Sequence, residues 1–233
     1  MTIFGILSDA HGHLAGFNKA LFHLKRLGAE KFVYLGDSIG YIPDVSVARS
    51  LRSEHPDIIC VRGNHEEMLL ANNTDIYQSE IYQLETIRSL LTEVDLAYLR
   101  SWPSEYEVIL NGHRIQYIHG SPDDHVNGYV YPETDLSRYP LDHDIVFMAN
   151  SHRPFIRKEQ SVRYVNVGSC GMPRDDGRYG SAALLDSESS DIRIVRFDIT
   201  NSTTALLANF PVVHASVREI YLRRSIDIVG DIL

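Results

Sequence analysis

Short apolar runs alternate with segments of helical periodicity in the first third of the chain. In the first such segment Leu14, Phe17, Leu21 and Leu24 recur at intervals of three and four residues, and Gly28 follows as a helix stop. The apolar runs between the helices indicate short strands. Together they predict a βαβαβ unit with a parallel, covered sheet. Its elements are predicted at residues 2–8, 14–27, 31–35, 45–54 and 57–61.

Helical spacing returns between residues 75 and 102. Apolar residues from Tyr77 to Tyr98 follow this spacing, and Thr92 with Asp95 matches a capping box that restarts a second helix. The periodicity favours packing of this segment into the core. The alternative is a helical insert, at about 74–102, that overhangs a pocket and shapes the choice of substrate.

The pattern changes to short strands after residue 103. Strands at 105–110 and 114–119 flank Asn111-Gly112, which is typical of a hairpin turn. Further strands are predicted at 144–148, 163–167, 180–185 and 192–199, and a closing amphipathic helix at 216–228. Parallel units followed by hairpins predict an α/β fold class, a four-layer αββα sandwich of two mixed β-sheets flanked by helices. The long stretch 120–141 is expected at the rim of a pocket.

Length and charge narrow the class of protein. A chain of 233 residues suffices for one sizeable core, so we expect a single domain over residues 1–233. The net charge of −9 and the lack of a basic block make binding to long nucleic acid unlikely to be its role. The apolar runs are shorter than a membrane span and no signal sequence is apparent, so we expect no membrane association and a cytoplasmic location. Cys60 and Cys170 cannot form a disulfide framework, and Cys60 is expected to be buried.

Polar clusters follow five of the apolar runs. They are Ser8-Asp9-Ala10-His11, Gly36-Asp37, Gly63-Asn64-His65-Glu66, His119-Gly120 and Asn150-Ser151-His152. Strand ends of one α/β sheet lie side by side, so loops that are distant in sequence can converge on one pocket. Carboxylates, imidazoles and an amide oxygen in one pocket favour Mn, Fe or Zn over copper.

A pair of such ions explains why two carboxylates would be needed. Asp37, directly after Gly36, offers a carboxylate able to bridge two ions, and two metals in proteins form a clamp that activates water and neutralises a phosphoryl oxygen. Two divalent ions offset by Asp9 and Asp37 leave a charge of roughly +2, which suits an anionic phosphate ester. The local charge thus overrides the acidity of the whole chain.

The order of these motifs resembles that of the calcineurin-like metallophosphoesterases. Gly36-Asp37-Ser38-Ile39-Gly40-Tyr41, His119-Gly120-Ser121-Pro122, Ser151-His152-Arg153-Pro154 and Asn166-Val167-Gly168-Ser169 resemble in particular the small bacterial and archaeal phosphodiesterase branch. The resemblance spans residues 3 to about 185. Any one motif is a weak signal, whereas five in order are a strong one.

The resemblance implies two divalent metal ions, with Mn as the first candidate and Fe, Zn, Ni or Mg as alternatives. It assigns the first metal to Asp9, His11, Asp37 and His152, and the second to Asp37, Asn64, His119 and Asn150. It also implies hydrolysis of a phosphate ester by a hydroxide that both metals activate. His65 would be the catalytic residue that stabilises the phosphoryl group or protonates the leaving alkoxide.

Two residues depart from the family pattern. The late family motif is usually Gly-His-Thr-His, whereas this chain has Ala149-Asn150-Ser151-His152. An amide oxygen replaces an imidazole, and this change predicts a second metal site that is weaker and tilted toward Mn or another harder ion. His13 stands where the family often has Asn, and without a stated partner it is expected to be solvated.

The remaining polar residues receive structural interpretations at this stage. His55, His113, His125 and His143 lie in turns or polar stretches and are expected at the surface. Glu66 and Glu67 are explained by the dipole of the helix that they open. Arg174 either clamps a substrate phosphate or is a solvated loop charge, and the sequence does not decide between these roles.

Three functions remain open from sequence. The first is a phosphoesterase acting on phosphodiesters or other small phosphate esters. The second is a phosphomonoesterase, such as a protein phosphatase or a dinucleoside polyphosphate hydrolase, and the third is a catalytically weak protein-binding scaffold of the same fold. Selection among substrates would fall to the rim at 72–102, 120–141 and 172–180. The family resemblance also allows a homo-oligomer.

Overall fold

Two mixed β-sheets pack face to face in the computed structural model, which describes residues 2–71, 80–140 and 142–233. The first sheet contains six strands in the order β11-β10-β9-β1-β2-β3. These strands are β1 (Ile3–Leu7), β2 (Ala29–Tyr34), β3 (Ile59–Cys60), β9 (Tyr179–Asp186), β10 (Ile192–Asp198) and β11 (Asp231–Ile232). The pairs β1–β2 and β2–β3 are parallel, so the predicted βαβαβ unit is confirmed. Strand β9 runs antiparallel to β1 and makes the sheet mixed.

The second sheet contains five strands in the order β4-β5-β6-β8-β7. These are β4 (Glu105–Leu110), β5 (His113–Ile118), β6 (Ile145–Met148), β7 (Phe155–Glu159) and β8 (Val162–Asn166). The β4–β5 hairpin is confirmed, and its turn places Asn111 and Gly112 at φ values of 48° and 86°, the left-handed pair that such a tight turn requires. Strand β7 was not predicted, because its sequence Phe-Ile-Arg-Lys-Glu has no alternation of apolar and polar residues.

Seven helices are defined in the described part of the chain. They are α1 (Leu14–Arg26), α2 (Ser46–Ser53), α3 (Asn64–Ala71), α4 (Leu84–Leu90), α5 (Glu93–Arg100), α6 (Thr200–Asn209) and α7 (Ala215–Ile220). The capping box of Thr92 and Asp95 is confirmed at the start of α5. Part of the predicted helical stretch, including Tyr77, lies outside the described residues. None of the described helices combines the length and the apolar character that a transmembrane segment requires.

The predicted closing helix at 216–228 is wrong in extent. Helix α7 ends at Ile220 because the residues after it bond to another loop instead of continuing the helix. The backbone N–H of Ser225 donates to the Asp176 carboxylate at 3.0 Å, and the N–H of Gly177 donates to the carbonyl of Arg223 at 3.0 Å. The chain then adds β11 to the sheet edge. Helix α6 was not predicted, since its first turns are rich in Thr and Ser.

Three apolar clusters define the layers. The first lies between the helices and the outer face of the first sheet, and includes Phe17, Leu51 and Leu99. The second fills the space between the two sheets. The third covers the outer face of the second sheet with Val130 and Leu136 from the irregular segment 120–140. The predicted fold class, two mixed β-sheets flanked by helices, is therefore confirmed.

Candidate metal centre

The loops that follow β1, β2 and β3 are bonded to one another. The N–H groups of Asp9, His11 and Gly12 donate to the carbonyls of Gly36, Asp37 and Ser38 in turn, each at 3.0 Å. Gly36 also lies against the backbone of Gly63, and a Cβ on Gly36 would come within 2.4 Å of the Gly63 nitrogen. Only glycine allows this approach, which explains why both polar motifs begin with it.

Five of the predicted metal ligands have left-handed backbone. The φ values are 54° at Asp9, 47° at His11, 60° at Asp37, 60° at Asn150 and 55° at His152. This conformation costs free energy for residues other than glycine, and such strain is concentrated at functional sites. Asn, Asp and His are the side chains that tolerate it best. The backbone therefore turns sharply at each of these positions and directs the side chains inward.

Three imidazoles present their Nε2 atoms to one another in the same way. In each, Nδ1 donates to a backbone carbonyl, which can only accept. The pairs are His11 with Ile39 at 2.9 Å, His119 with Leu35 at 2.6 Å and His152 with Met172 at 2.6 Å. This contact fixes the ring orientation and leaves Nε2 as the atom that can bind a metal, the arrangement common among metal-binding histidines.

The Nε2 atoms of these three histidines converge on the carboxylates of Asp9 and Asp37. Nε2 of His11 lies 3.2 Å from Nε2 of His152, and Nε2 of His152 lies 3.4 Å from Oδ1 of Asp9. Oδ2 of Asp37 lies 3.6 Å from Nε2 of His11 and 3.4 Å from Nε2 of His119. These contacts group Asp9, His11 and His152 on one side of Asp37 and place His119 with Asp9 and Asp37 on the other.

Several of these contacts are unfavourable without a cation. The lone pairs of His11 and His152 face each other, and both carboxylate oxygens of Asp9 and Oδ2 of Asp37 are buried without a hydrogen-bond partner among the described residues. Burial raises the pKa of Asp9 to about 8. An unpaired buried charge is costly, and a divalent ion relieves that cost. The donor set of carboxylates and neutral imidazoles fits such an ion.

The charge of the cluster centres on Asp37 and His119. Burial alone would raise the pKa of Asp37, but the nearby imidazoles, His119 first among them, hold it well below its usual range. Burial alone would lower the pKa of His119, yet the carboxylates of Asp37 and Asp9 raise it to about 10. The two groups therefore stabilise each other's charged forms.

Two asparagines border the second group. Oδ1 of Asn64 lies 3.3 Å from Nε2 of His119. The side-chain amide nitrogen of Asn150 donates to the carbonyls of Gly128 at 2.8 Å and Asn127 at 3.4 Å. Those contacts hold the Asn150 nitrogen on the backbone of the rim segment, so its Oδ1 is the atom left for a ligand. The metal roles of both asparagines stay predictions.

His65 is buried beside the cluster, but unlike the three histidines above it makes no hydrogen bond from Nδ1 to a described backbone carbonyl. Its ring packs 4.8 Å from the rings of His11 and Tyr41 and 4.7 Å from that of Tyr82. Its Nε2 lies 3.9 Å from Oδ2 of Asp37, while Nδ1 has no hydrogen-bond partner among the described residues. Burial lowers the pKa of His65 to about 4, so the ring is neutral at pH 7.

Glu66 has a role that the helix dipole does not explain. It is fully buried, and its carboxylate accepts hydrogen bonds from the backbone N–H groups of Asp37 and Ser38, both at 2.8 Å, and of Gly63 at 3.1 Å. The hydroxyl of Ser38 donates a further bond at 2.8 Å. Glu66 thus fixes the Asp37 loop to the start of α3, and the sequence interpretation of this residue was incomplete.

Two histidines expected in solvent are buried. His13 caps α1 by accepting from the N–H of Gly16 at 3.0 Å and contacts Oγ1 of Thr203 at 3.0 Å. His143 lies between the carboxylates of Glu107 and Asp142. Partners from distant segments explain both departures from the expectation. The half-buried His55, His113 and His125 belong to none of the candidate metal groups found among the described residues.

The helical insert and Arg174 both reach the site. Leu84, Ile87 and Leu99 of the insert pack into the core, and Tyr82 contacts His65, while a role of this segment in the choice of substrate stays a prediction. The Arg174 guanidinium donates to the hydroxyl of Tyr41 at 2.9 Å. Arg174 is therefore held at the site and is not a solvated loop charge.

Comparisons with known proteins agree with this geometry. Residues 1–190 match the family model of the calcineurin-like phosphoesterase superfamily domain. An uncharacterised protein of Methanocaldococcus jannaschii is 25% identical over 234 residues, covering 89% of this chain and 93% of that protein. A probable metallophosphoesterase of Methanothermobacter thermautotrophicus is 26% identical over 201 residues, covering 83% and 92%.

Solved structures share the fold. A metallophosphoesterase from Sphaerobacter thermophilus superposes with a TM-score of 0.74 at 20% identity, and a hypothetical protein from Pyrococcus horikoshii OT3 with 0.77 at 18%. In each case 95% of this chain and 98% of the other chain are covered. These identities are low, so the superpositions speak for the fold alone.

Proposed function

Since this chain belongs to the calcineurin-like phosphoesterase superfamily, a family of phosphate ester hydrolases, we propose that it hydrolyses phosphodiesters or small phosphate esters with two divalent metal ions. The observation that carries the proposal is the convergence of three imidazole Nε2 atoms on carboxylate oxygens that have no hydrogen-bond partner among the described residues. A structural ion pair would use those oxygens. Here they are buried and remain available.

We assign Asp9, His11, Asp37 and His152 to the first ion and Asp37, Asn64, His119 and Asn150 to the second. The unpartnered Oδ2 of Asp37, within 3.6 Å of both His11 and His119, supports the bridging role. When bound, the ions supply a water activated as nucleophile and positive charge for the phosphoryl oxygens. Manganese is our first candidate, since an amide oxygen in place of an imidazole favours a harder ion.

His65 is our candidate for the proton donor to the leaving oxygen. A Cβ on Gly40 would come within 2.1 Å of Nδ1, so this nitrogen faces the backbone of Gly40 and Nε2 faces the cluster. The neutral ring carries one proton, so at Nε2 it can donate a hydrogen bond to the leaving oxygen. Full proton transfer requires the ring to be protonated first, which the charge of Asp37 favours. The rings of Tyr41 and Tyr82 fix the imidazole in this orientation.

The preference for diesters over monoesters depends on the rim. Tyr82 and the exposed Tyr129, both from the rim segments, supply apolar surface and hydroxyl groups beside the site. A phosphomonoesterase with the same metals is the second candidate. A scaffold without catalysis is favoured by one observation only, the attachment of the Asn150 amide nitrogen to the rim backbone. A cytoplasmic location and a homo-oligomer stay predictions from the sequence.

Metal-stripped protein reconstituted with Mn, Zn, Mg or no ion, and assayed with bis(p-nitrophenyl) phosphate and p-nitrophenyl phosphate, tests the proposal. We expect turnover only with added metal, fastest with Mn, and two ions bound per chain by elemental analysis. Asp37→Asn should be inactive, and Asp135→Asn, which makes the same change at an exposed position, should retain full activity. Folded protein that binds no ion and hydrolyses neither substrate would contradict the proposal. Turnover of the monoester alone would select the second candidate.

A further inference from the structure

Arg174 is a cation at the site that forms no ion pair with a carboxylate in the described part of the chain. No described carboxylate forms an ion pair with its guanidinium, and among the described residues its side chain donates only to Oη of Tyr41, at 2.9 Å. Its Nε is buried and has no hydrogen-bond partner. A guanidinium that loses part of its hydration is normally paired with an acid, because that loss is costly. An arginine left with free donors beside a candidate active site is therefore prepared for an anion that arrives from outside.

The loop that carries Arg174 is fixed from beneath. Its neighbour Asp175 accepts two hydrogen bonds from the fully buried Arg196, at 2.6 and 3.0 Å. Asp176 accepts from Arg178 at 2.8 and 3.0 Å. The N–H of Arg174 itself donates to the carbonyl of His152 at 3.2 Å. The backbone is therefore tied to a candidate metal ligand, and the guanidinium is held at the site.

Tyr41 completes a pair of donors. Its ring lies 4.8 Å from the rings of both His11 and His65, and its backbone has a left-handed φ of 66°. The Tyr41 hydroxyl accepts from Arg174, so its own hydrogen is free to donate elsewhere. A planar guanidinium and a hydroxyl side by side match two oxygens of one tetrahedral oxyanion.

We propose that Arg174 and Tyr41 form an anion subsite that binds non-bridging oxygens of the substrate phosphoryl group and retains the phosphate product. This inference rests on the proposed function, because the metal cluster defines the place where the phosphorus would lie. It adds two side chains outside the polar motifs to the residues that contact the substrate. The ligand class is a phosphoryl oxyanion, with inorganic phosphate as the smallest member.

Binding of inorganic phosphate and vanadate to the metal-loaded protein, measured by isothermal titration calorimetry, tests this subsite independently of turnover. The variants are Arg174→Gln, Arg174→Lys and Tyr41→Phe. The matched control is Arg193→Gln, which removes the same charge from an exposed side chain on β10. We expect the phosphate Kd to rise at least about tenfold in Arg174→Gln and about threefold in Tyr41→Phe, with a smaller rise in Arg174→Lys. The control should stay within about twofold of wild type.

The KM for bis(p-nitrophenyl) phosphate should rise in parallel, and thermal melting shows that each variant is folded. Equal effects of Arg174→Gln and Arg193→Gln on the phosphate Kd would overturn the subsite even if hydrolysis is normal, because general charge would then explain them. An unchanged Kd in Tyr41→Phe and Arg174→Lys would also overturn it if Arg174→Gln fails to fold. Failure of the proposed function would give a different result. The wild type would then show no turnover, while the phosphate titrations of wild type and variants would still report on the subsite.

Discussion

Two regions of the molecule bury charged side chains, and they differ in whether those side chains have partners. In the metal centre, Asp9 and Asp37 keep carboxylate oxygens without partners, and imidazole nitrogens face one another at 3.2 Å. Below the 173–178 loop, Arg196 is fully buried but donates to Asp175 twice and to the carbonyls of Tyr179 and Gly180. The second region stabilises the fold as it stands. The first gains its full set of partners only when a ligand binds.

The difference identifies which buried charges serve the fold and which serve chemistry. Removal of one partner from a satisfied buried pair leaves an unpaired charge and destabilises the protein. Neutralisation of an unpartnered carboxylate removes such a charge and spares stability. Substitutions in the metal centre should therefore reduce activity more than stability. Substitutions beneath the 173–178 loop should reduce stability more than activity.

Asp37→Asn should give the largest effect on activity. The neutral amide removes a negative charge from between the two candidate ion positions, so metal-dependent turnover should fall by about a thousandfold or more. Urea unfolding without added metal should show equal stability in Asp9→Asn, where both carboxylate oxygens lack a hydrogen-bond partner among the described residues, and lower stability in Asp37→Asn, which leaves the charge of His119 without its partner. If Asp37→Asn loses activity only in proportion to the fraction of protein that is unfolded, Asp37 is a structural charge like Asp175.

Asp175→Asn should reverse this order. It removes the charge that partners the buried Arg196, so the free energy of unfolding should fall by about 3 kcal/mol. Bound metal per folded chain should stay at the wild-type level. Asp135→Asn is the exposed control and should leave the urea midpoint unchanged. A loss below about 1 kcal/mol would show that the carbonyl contacts of Arg196 suffice without the carboxylate.

Asn150→His should sharpen the description of the second metal position. An imidazole there should raise the affinity for Zn or Mn about tenfold, because a nitrogen ligand replaces an amide oxygen. Metal stoichiometry and turnover at limiting metal measure the effect, with Asn201→His on the exposed face of α6 as the control. If both quantities match wild type, Asn150 is not a ligand and the predicted weakness of this site is wrong.

Asp95→Asn should have the smallest effect and extends the comparison to a buried carboxylate at the start of α5. Burial would raise the pKa of Asp95, but hydrogen bonds from Thr92 and the charges of Arg52 and Arg49 lower it. A carboxyl with a lowered folded pKa adds stability above its ordinary pKa of 3.8, and this stability is lost as the pH falls below that value.

At pH 7 the variant should therefore be about 1 kcal/mol less stable than wild type, through loss of the capping box. The difference should shrink in urea titrations between pH 4 and pH 3. Glu93→Gln, an exposed change on the same helix, should show no such dependence. A constant difference across this pH range would mean that the charge of Asp95 contributes nothing.

The sequence predicted what local pattern controls. Each candidate ligand from Asp9 to His152 follows an apolar strand, and parallel strands bring their carboxyl ends to one edge. The hairpin turn and the capping box were predictable because their residues act on their own backbone. Strand β7 and helix α6 were not, since neighbouring elements rather than local propensity stabilise them.

Long-range contacts explain what the sequence left open. Glu66 was interpreted as a residue of a helix start, and its bond to the backbone of Asp37 is set by the approach of loops 29 residues apart. His13 is buried because Thr203 packs against it across 190 residues. Arg174 reaches Tyr41 only because Asp175 anchors its loop on Arg196. No spacing pattern in the sequence predicts these contacts.

The left-handed backbone at Asn150 bears on how this chain came to differ from its relatives. Among residues with a Cβ, Asn accepts that conformation with the least strain. A lineage that exchanged an imidazole for an amide at this position would have kept its loop intact while it altered the metal. Most other replacements would have disturbed the fold as well, and selection would have removed them before any new metal preference could be tried.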